Sequence, residues 1–214
     1  MGMRKEHLEY IFGMFEHTGY KQFDGMKMCE LGNQRIGDTG RKYLEDNDIP
    51  SVETGKELFT HIGFKHTSID INGEDGALPI DLTKPIIGNH PLPSFDIITN
   101  FGTSEHVPDQ YQCFKNMHNM CKNNGLFISV VPALGYINTM TNTETSKKFV
   151  TLHGLYNYTF EFFRDLADLC KYEILDERII RHSTAVTMRK TTDEAFISAE
   201  KFDKLQIYAV TYIK

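Results

Sequence analysis

The chain is 214 residues long, with 40% hydrophobic and 24% charged side chains, and its 23 basic against 29 acidic residues leave a net charge of −6. That length suits one domain with a substantial core, and an acidic chain without long like-charge runs is a poor match to a broad nucleic-acid grip. Cys29, Cys113, Cys121 and Cys170 form no C-x-x-C pair, which argues against a disulfide framework or zinc cage and for reduced thiols in the cytoplasm.

The start of the chain carries Arg4, Lys5, Glu6 and Glu9 with no apolar run, unlike a secretory signal. Leu8, Ile11, Phe12 and Phe15 recur at helical spacing, so residues 3–18 are expected to form an amphipathic helix ending near Gly19. Residues 26–31 read as a buried strand ending at Gly32. Helices follow near 38–47 and 54–62, stopped by Pro50 and Gly63, then strands over 67–71, 78–82 and 94–100. Residues 109–124 repeat with helical period, with Asp109 to cap the start and Gly125 the end.

Residues 126–131 are a further strand. The apolar stretch from Leu126 to Ile137 is too short to span a bilayer, so no membrane association is expected. Thr159 caps a helix carrying Phe162, Phe163, Leu166 and Leu169. Three strand-like runs close the chain, at 172–180, 184–189 and 206–213.

Strands alternating with helices imply an α/β fold, a doubly wound, mostly parallel sheet covered on both faces. The final strands break that alternation and imply an antiparallel hairpin at one edge. The whole chain is expected to be one domain: a helical cap over 1–24, a core over 25–190 and an extension over 191–214 with a further strand.

In such sheets ligands lie past the carboxyl ends of the strands, at the topological switch point. Past the first strand stands Glu30-Leu31-Gly32-Asn33-Gln34-Arg35-Ile36-Gly37. Gln34 occupies the position of the second glycine of a dinucleotide fingerprint, which argues against NAD or FAD because that glycine lets a pyrophosphate approach the backbone. Past the second strand, Asp70 and Ile71 offer a carboxylate to a ribose diol, or a cap for the turn before Gly73. Asp81 and Leu82 follow, where Asp81 accepts from an adenine amino group or caps Thr83.

Past the next strand come Asn100, Phe101 and Gly102, then Glu105 and His106, which are placed to act as a general base, as a substrate anchor or as structural groups. His153 and Tyr156 are a second polar pair. No G-x-S-x-G, H-E-x-x-H or P-loop motif is present, and no metal site is expected.

In order and spacing these pieces resemble the class I S-adenosylmethionine-dependent methyltransferases. The resemblance runs from about Lys27 to Arg189 through Cys29-Glu30-Leu31-Gly32, Ser68-Ile69-Asp70-Ile71, Phe95-Asp96-Ile97-Ile98-Thr99-Asn100 and Lys122-Asn123-Asn124-Gly125-Leu126-Phe127. It implies a seven-stranded Rossmann-like sheet and S-adenosylmethionine as cofactor. The loop from Glu30 to Gly37, with Gly32, Asn33 and Gln34, would wrap the methionine part. Asp70 and Ile71 would hold the ribose, Asp81 and Leu82 border adenine, and Asn100, Phe101 and Gly102 line the channel to the methyl group. Glu105 or His106 would serve as base, and His153 with Tyr156 would meet a small-molecule acceptor.

The chain departs from the family in its reduced glycine motif and in the long stretch from Glu30 to Asp70, which an extra helix at 54–62 accounts for. A catalytically silent methyltransferase-like interaction module is the alternative from a different class, and a nicotinamide-dependent reductase is disfavoured by Gln34. The sequence leaves the acceptor and the oligomeric state open.

Overall fold

The computed structural model describes residues 2–20, 22–134, 154–205 and 207–209. The first helix, α1 (Lys5–His17), is followed by β1 (Lys27–Leu31), α2 (Asp38–Asp46), α3 (Gly55–His61), β2 (Lys65–Ile69) and β3 (Phe95–Phe101). Then come α4 (Gln110–Met120), β4 (Cys121–Pro132), β5 (Tyr156–Asn157), α5 (Phe160–Cys170), β6 (Tyr172–Ile180), β7 (Ser183–Lys190), α6 (Ala199–Phe202) and β8 (Tyr208–Ala209).

Six strands form the main sheet in the order β2-β1-β3-β4-β7-β6. The first four are parallel, whereas β7 runs antiparallel to both β4 and β6, so the expected hairpin closes one edge. Alternation of side chains across the pleat divides the core. Cys29, Leu31, Ile98, Phe127 and Val186 face α4 and α5, while Met28, Ile97, Leu126 and Ile128 face α1 and α3. Helices therefore cover both faces, as the near-continuous apolar strands require.

Capping sets several boundaries. Thr54 and Glu57 form a reciprocal capping box at α3, and Asp109 and Thr159 each accept from the third residue of their helix.

Three expectations need correction. The strand expected over 78–82 is reduced to one bridge between Ile69 and Leu78, because Pro79 has no N–H with which to continue the ladder; the sheet has six strands rather than seven. The helix expected to reach Gly125 ends at Met120, and β4 starts at Cys121 with a register shift opposite Phe95 and Ile97. Gly125 serves that bulge instead, since a Cβ there would lie 2.7 Å from Cys121 Sγ. The strand expected over 206–213 is described only at β8, which pairs with β5 in a separate ribbon; residues 206 and 210–213 lie outside the described residues.

Among the described residues, no helix is long and apolar enough to cross a membrane. All four cysteines are buried thiols.

Candidate functional site

The parallel strands β1 and β3 lie side by side, with β2 on the far flank of β1. The connections leaving β1 and β3 therefore depart in opposite directions and open a crevice at the carboxyl edge of the sheet. A cavity of about 380 Å³ occupies it.

Gly32 forms its floor. The backbone there has φ +80°, and an added Cβ would lie 2.3 Å from Thr103 Oγ1 and 2.8 Å from Gln34 Nε2. Only glycine combines that dihedral with so close an approach. The Gly32 N–H donates to Ile69 O at 2.7 Å, and the Thr103 hydroxyl donates to Leu31 O at 2.7 Å. The three strand exits are thus stitched together by short polar contacts.

Asp70 sits at the end of β2. Its two carboxylate oxygens accept from the N–H groups of Asn33, at 3.0 Å, and Asn72, at 3.1 Å. Those bonds set the plane of the carboxylate and leave lone pairs for a ligand. The following loop folds back over the β1 exit, where Asn33 Nδ2 donates to Glu74 O and Asp75 Oδ2 and Arg35 pairs with Asp75 at 3.3 Å. Asp81 accepts from both the N–H and the hydroxyl of Thr83, which holds its carboxyl below the usual range.

On the β3 side the wall is a 3-10 turn at Ser104–His106. Asn100 grips it twice: Asn100 Oδ1 accepts from Ser104 N–H at 3.0 Å, and Asn100 Nδ2 donates to Ser104 Oγ at 2.8 Å. Gln110 Nε2 donates to the carbonyls of Ser104 and Val107. The fully buried Tyr158 hydroxyl donates to Gln110 Oε1 at 2.6 Å and lies 3.0 Å from Ser104 Oγ. Leu155 N–H donates to Glu105 O, and the Tyr156 hydroxyl to Pro108 O. A closed set of buried hydrogen bonds of this kind fixes one conformation.

Of the residues singled out in the sequence, Gly32, Asn33, Gln34, Asp70, Ile71, Asp81, Leu82, Gly102 and His106 all line this one cavity. Gly37, Asn100, Phe101 and Glu105 do not. Asn100 holds the wall from behind, and Phe101 is buried against His7 on the other face of the sheet. Glu105 is buried beneath His106, with Oε1 3.8 Å from His106 Nε2; burial pushes its carboxyl up to about 7. Tyr156 lines a separate groove beside α4 and α6, and His153 lies outside the described residues.

Glu30 requires the largest revision. Parallel pairing places it on the same face as Met28, towards α3, so it is buried under the loop instead of in the cleft with Asp70. Its Oε2 accepts from Gln34 N–H at 3.4 Å and lies 3.6 Å from His66 Nε2. Burial pushes the carboxyl up to about 8 and the imidazole down to about 4. At neutral pH each group favours its uncharged form, so the contact is not a salt bridge. Glu30 therefore braces the loop.

Ile80, Thr83, Thr103, Val107 and Pro108 also line the cavity, although the sequence assigned none of them a role; Thr83, Thr103 and Val107 fall within the strand-end stretches 81–83 and 100–107 that it singles out. Their only sequence signal is closeness to the flagged strand ends. Among the described residues no group of three or more His, Cys, Asp or Glu is placed to hold a metal ion.

A family model described as a methyltransferase domain matches residues 41–129. This is the fold of the class I S-adenosylmethionine-dependent methyltransferases. Among solved structures, the 1,6-didemethyltoxoflavin-N1-methyltransferase of Burkholderia thailandensis, with 1,6-didemethyltoxoflavin and S-adenosylhomocysteine bound, is similar at TM-score 0.54 and 14% identity. The match covers 88% of this chain and 79% of that one. Magnesium protoporphyrin IX methyltransferase from Synechocystis, with bound S-adenosylhomocysteine, is similar at TM-score 0.50 and 9% identity, over 87% of this chain and 83% of that one. A search of curated proteins by sequence gives no match. At such identities likeness establishes the methyltransferase fold and not a substrate.

Proposed function

We propose that the cleft binds S-adenosylmethionine and that the protein transfers its methyl group to a small-molecule acceptor in the cytoplasm. The observation that carries this reading is the charge of the cleft: Asp70 and Asp81 line it, and among the described residues no Lys or Arg does. An acidic cleft at the switch point suits a cationic nucleoside and repels a pyrophosphate. Gln34, lying over Gly32, further closes the approach that a dinucleotide needs. The fold supports the same reading, as do the two similar structures that hold S-adenosylhomocysteine.

When bound, S-adenosylmethionine supplies a methyl group already activated on a sulfonium. The chain then has to orient, exclude water and, for some acceptors, remove a proton. Asp70 accepts from the ribose hydroxyls with its remaining lone pairs. Ile71, 73% exposed at the rim, and the buried Ile80 and Leu82 offer an apolar platform to the base, and Asp81 accepts from its amino group. His106, half-exposed on the β3 wall with Glu105 beneath it, takes the proton from an oxygen or nitrogen acceptor.

Calorimetric titration with S-adenosylhomocysteine tests the cofactor: micromolar binding lost in Asp70→Ala is expected, and no binding at millimolar concentration sinks the reading. With the acceptor in hand, His106→Ala should lower kcat by about 10²–10⁴-fold with little change in cofactor affinity. Unchanged turnover would remove the role of His106.

A further inference from the structure

Resting on the cofactor reading above, we infer that the groove beside α4 and α6 is the acceptor subsite and that the acceptor is an arylalkylamine, bound as its ammonium. The cleft at the switch point measures about 380 Å³, at the small end of what holds one drug-sized ligand. A cofactor filling it leaves the acceptor to lie outside. The groove, of about 550 Å³, begins where the cleft ends. His106, Val107 and Pro108 line the cleft, Pro108, Asp109 and Tyr111 line the groove, and Pro108 is the wall they share. A molecule in the groove therefore has one proline between it and the residue proposed as base.

The sides of the groove are aromatic, and their rings are held. The Tyr156 hydroxyl donates to Pro108 O at 2.9 Å. Phe202 is buried and stands edge-on to Tyr111, with ring centroids 5.7 Å apart. Rings fixed in this way take a planar group at little ordering cost.

The charge of the groove is negative. Asp109 and Asp203 line it, and among the described lining residues there is no Lys or Arg. The N-terminus of α4 would attract an anion, but the Asp109 side chain already answers it by accepting from Gln112 N–H at 2.9 Å. Two lysines on the adjoining turns are engaged: Lys204 pairs with Glu200 at 3.1 Å, and the Lys115 ammonium lies 5.2 Å from the centroid of the Tyr111 ring. Aromatic walls carrying two carboxylates select a planar group with a positive charge and reject its anionic counterpart.

An ammonium has no free electron pair, which gives a base beside this groove its purpose. Once His106 has taken one proton, the amine nitrogen forms the new N–CH3 bond while the C–S bond breaks and leaves its electron pair on sulfur. The methylated ammonium then carries the charge that the sulfonium has lost, and His106 returns its proton to water.

The test saturates the full chain with S-adenosylhomocysteine and titrates 2-phenylethylamine, 3-phenylpropanoate and propylamine calorimetrically. Phenylethylamine should bind at least about tenfold more tightly than the other two, which lack the charge or the ring. Asp203→Asn, at an exposed position, should weaken phenylethylamine about two- to fivefold, and Tyr111→Leu by a similar factor. Both variants should keep S-adenosylhomocysteine within about twofold of wild type. Incubated with S-adenosylmethionine and wild type, phenylethylamine should gain one methyl group by mass spectrometry.

Equal affinity for amine and carboxylate, an undiminished preference in Asp203→Asn, or binding of the amine without its methylation would each overturn the inference while leaving the cofactor site intact. A wild type that does not bind S-adenosylhomocysteine would instead overturn the cofactor reading, and this inference with it.

Discussion

The hydroxyl of Tyr158 donates to the side-chain carbonyl of Gln110 across 2.6 Å, joining the segment that leads into α5 to the first turn of α4. Gln110 in turn holds the carbonyls of Ser104 and Val107, so the two residues govern the wall that carries His106. Tyr158 is fully buried among Phe114, Phe162 and Phe163, and its ring has no room to re-aim the hydroxyl.

Tyr158→Phe should therefore keep the packing and break the polar chain. Leaving Gln110 Oε1 without its donor should cost about 1–3 kcal/mol in urea unfolding. The same variant should weaken S-adenosylhomocysteine binding severalfold, because Gly102, Thr103 and His106 share the loosened wall. Wild-type affinity in a destabilised Tyr158→Phe would show that the wall holds without it.

Gly32→Ala should be among the most damaging single-methyl additions to this protein. The new Cβ would meet Thr103 Oγ1 at 2.3 Å, and that hydroxyl cannot retreat without leaving Leu31 O. Positive φ adds about 1–2 kcal/mol of strain. Thermal unfolding should show a lowered Tm, and calorimetry a loss of cofactor binding exceeding that loss of stability. A second change, Thr103→Ala, should restore part of the stability by relieving the clash.

Stability should fall as pH rises from 7 to 8.5. Burial raises the Glu30 carboxyl from its ordinary 4.5 to about 8, so the folded state holds a proton that the unfolded state has released. A group raised in this way contributes its full stability below about 4.5 and loses it as pH climbs through 8. The facing His66, lowered to about 4, acts with the opposite sign but completes its change by about 6.5. Glu105, raised to about 7, has lost most of its contribution by the top of this range. Between pH 7 and 8.5 the decline due to Glu30 should be about 1 kcal/mol, and Glu30→Gln should flatten it. An unchanged slope in Glu30→Gln, measured by urea unfolding, would assign the decline elsewhere.

Much of this architecture was legible in the order of residues because its signals are local. The helical spacing of Leu8, Ile11 and Phe15, the caps at Asp109 and Thr159, and the apolar runs ending at Gly32 and before Asp70 each depend on a few neighbouring residues. So does the alternation that implies a parallel sheet. Local signals also misled where a neighbour in space prevailed. Leu78 begins an apolar run, but Pro79 ends its ladder after one bridge. Gly125 looks like a helix stop, yet its small size serves the bulge opposite Asp96 and Cys121.

From the sequence alone follow the α/β class, the closing hairpin, the resemblance to methyltransferases and the strand ends that deserve attention. Tertiary structure alone decided which of those strand-end residues meet. Glu30 and Gln34 are four positions apart, but the pleat of β1 sends the glutamate under the sheet-edge loop, whereas Gln34, past the end of the strand, lines the cleft. Tyr158, remote in the chain from Ser104 and Gln110, became part of the cleft wall only through packing. Which face a side chain takes follows from strand register, and register is set by the whole sheet and not by any one segment.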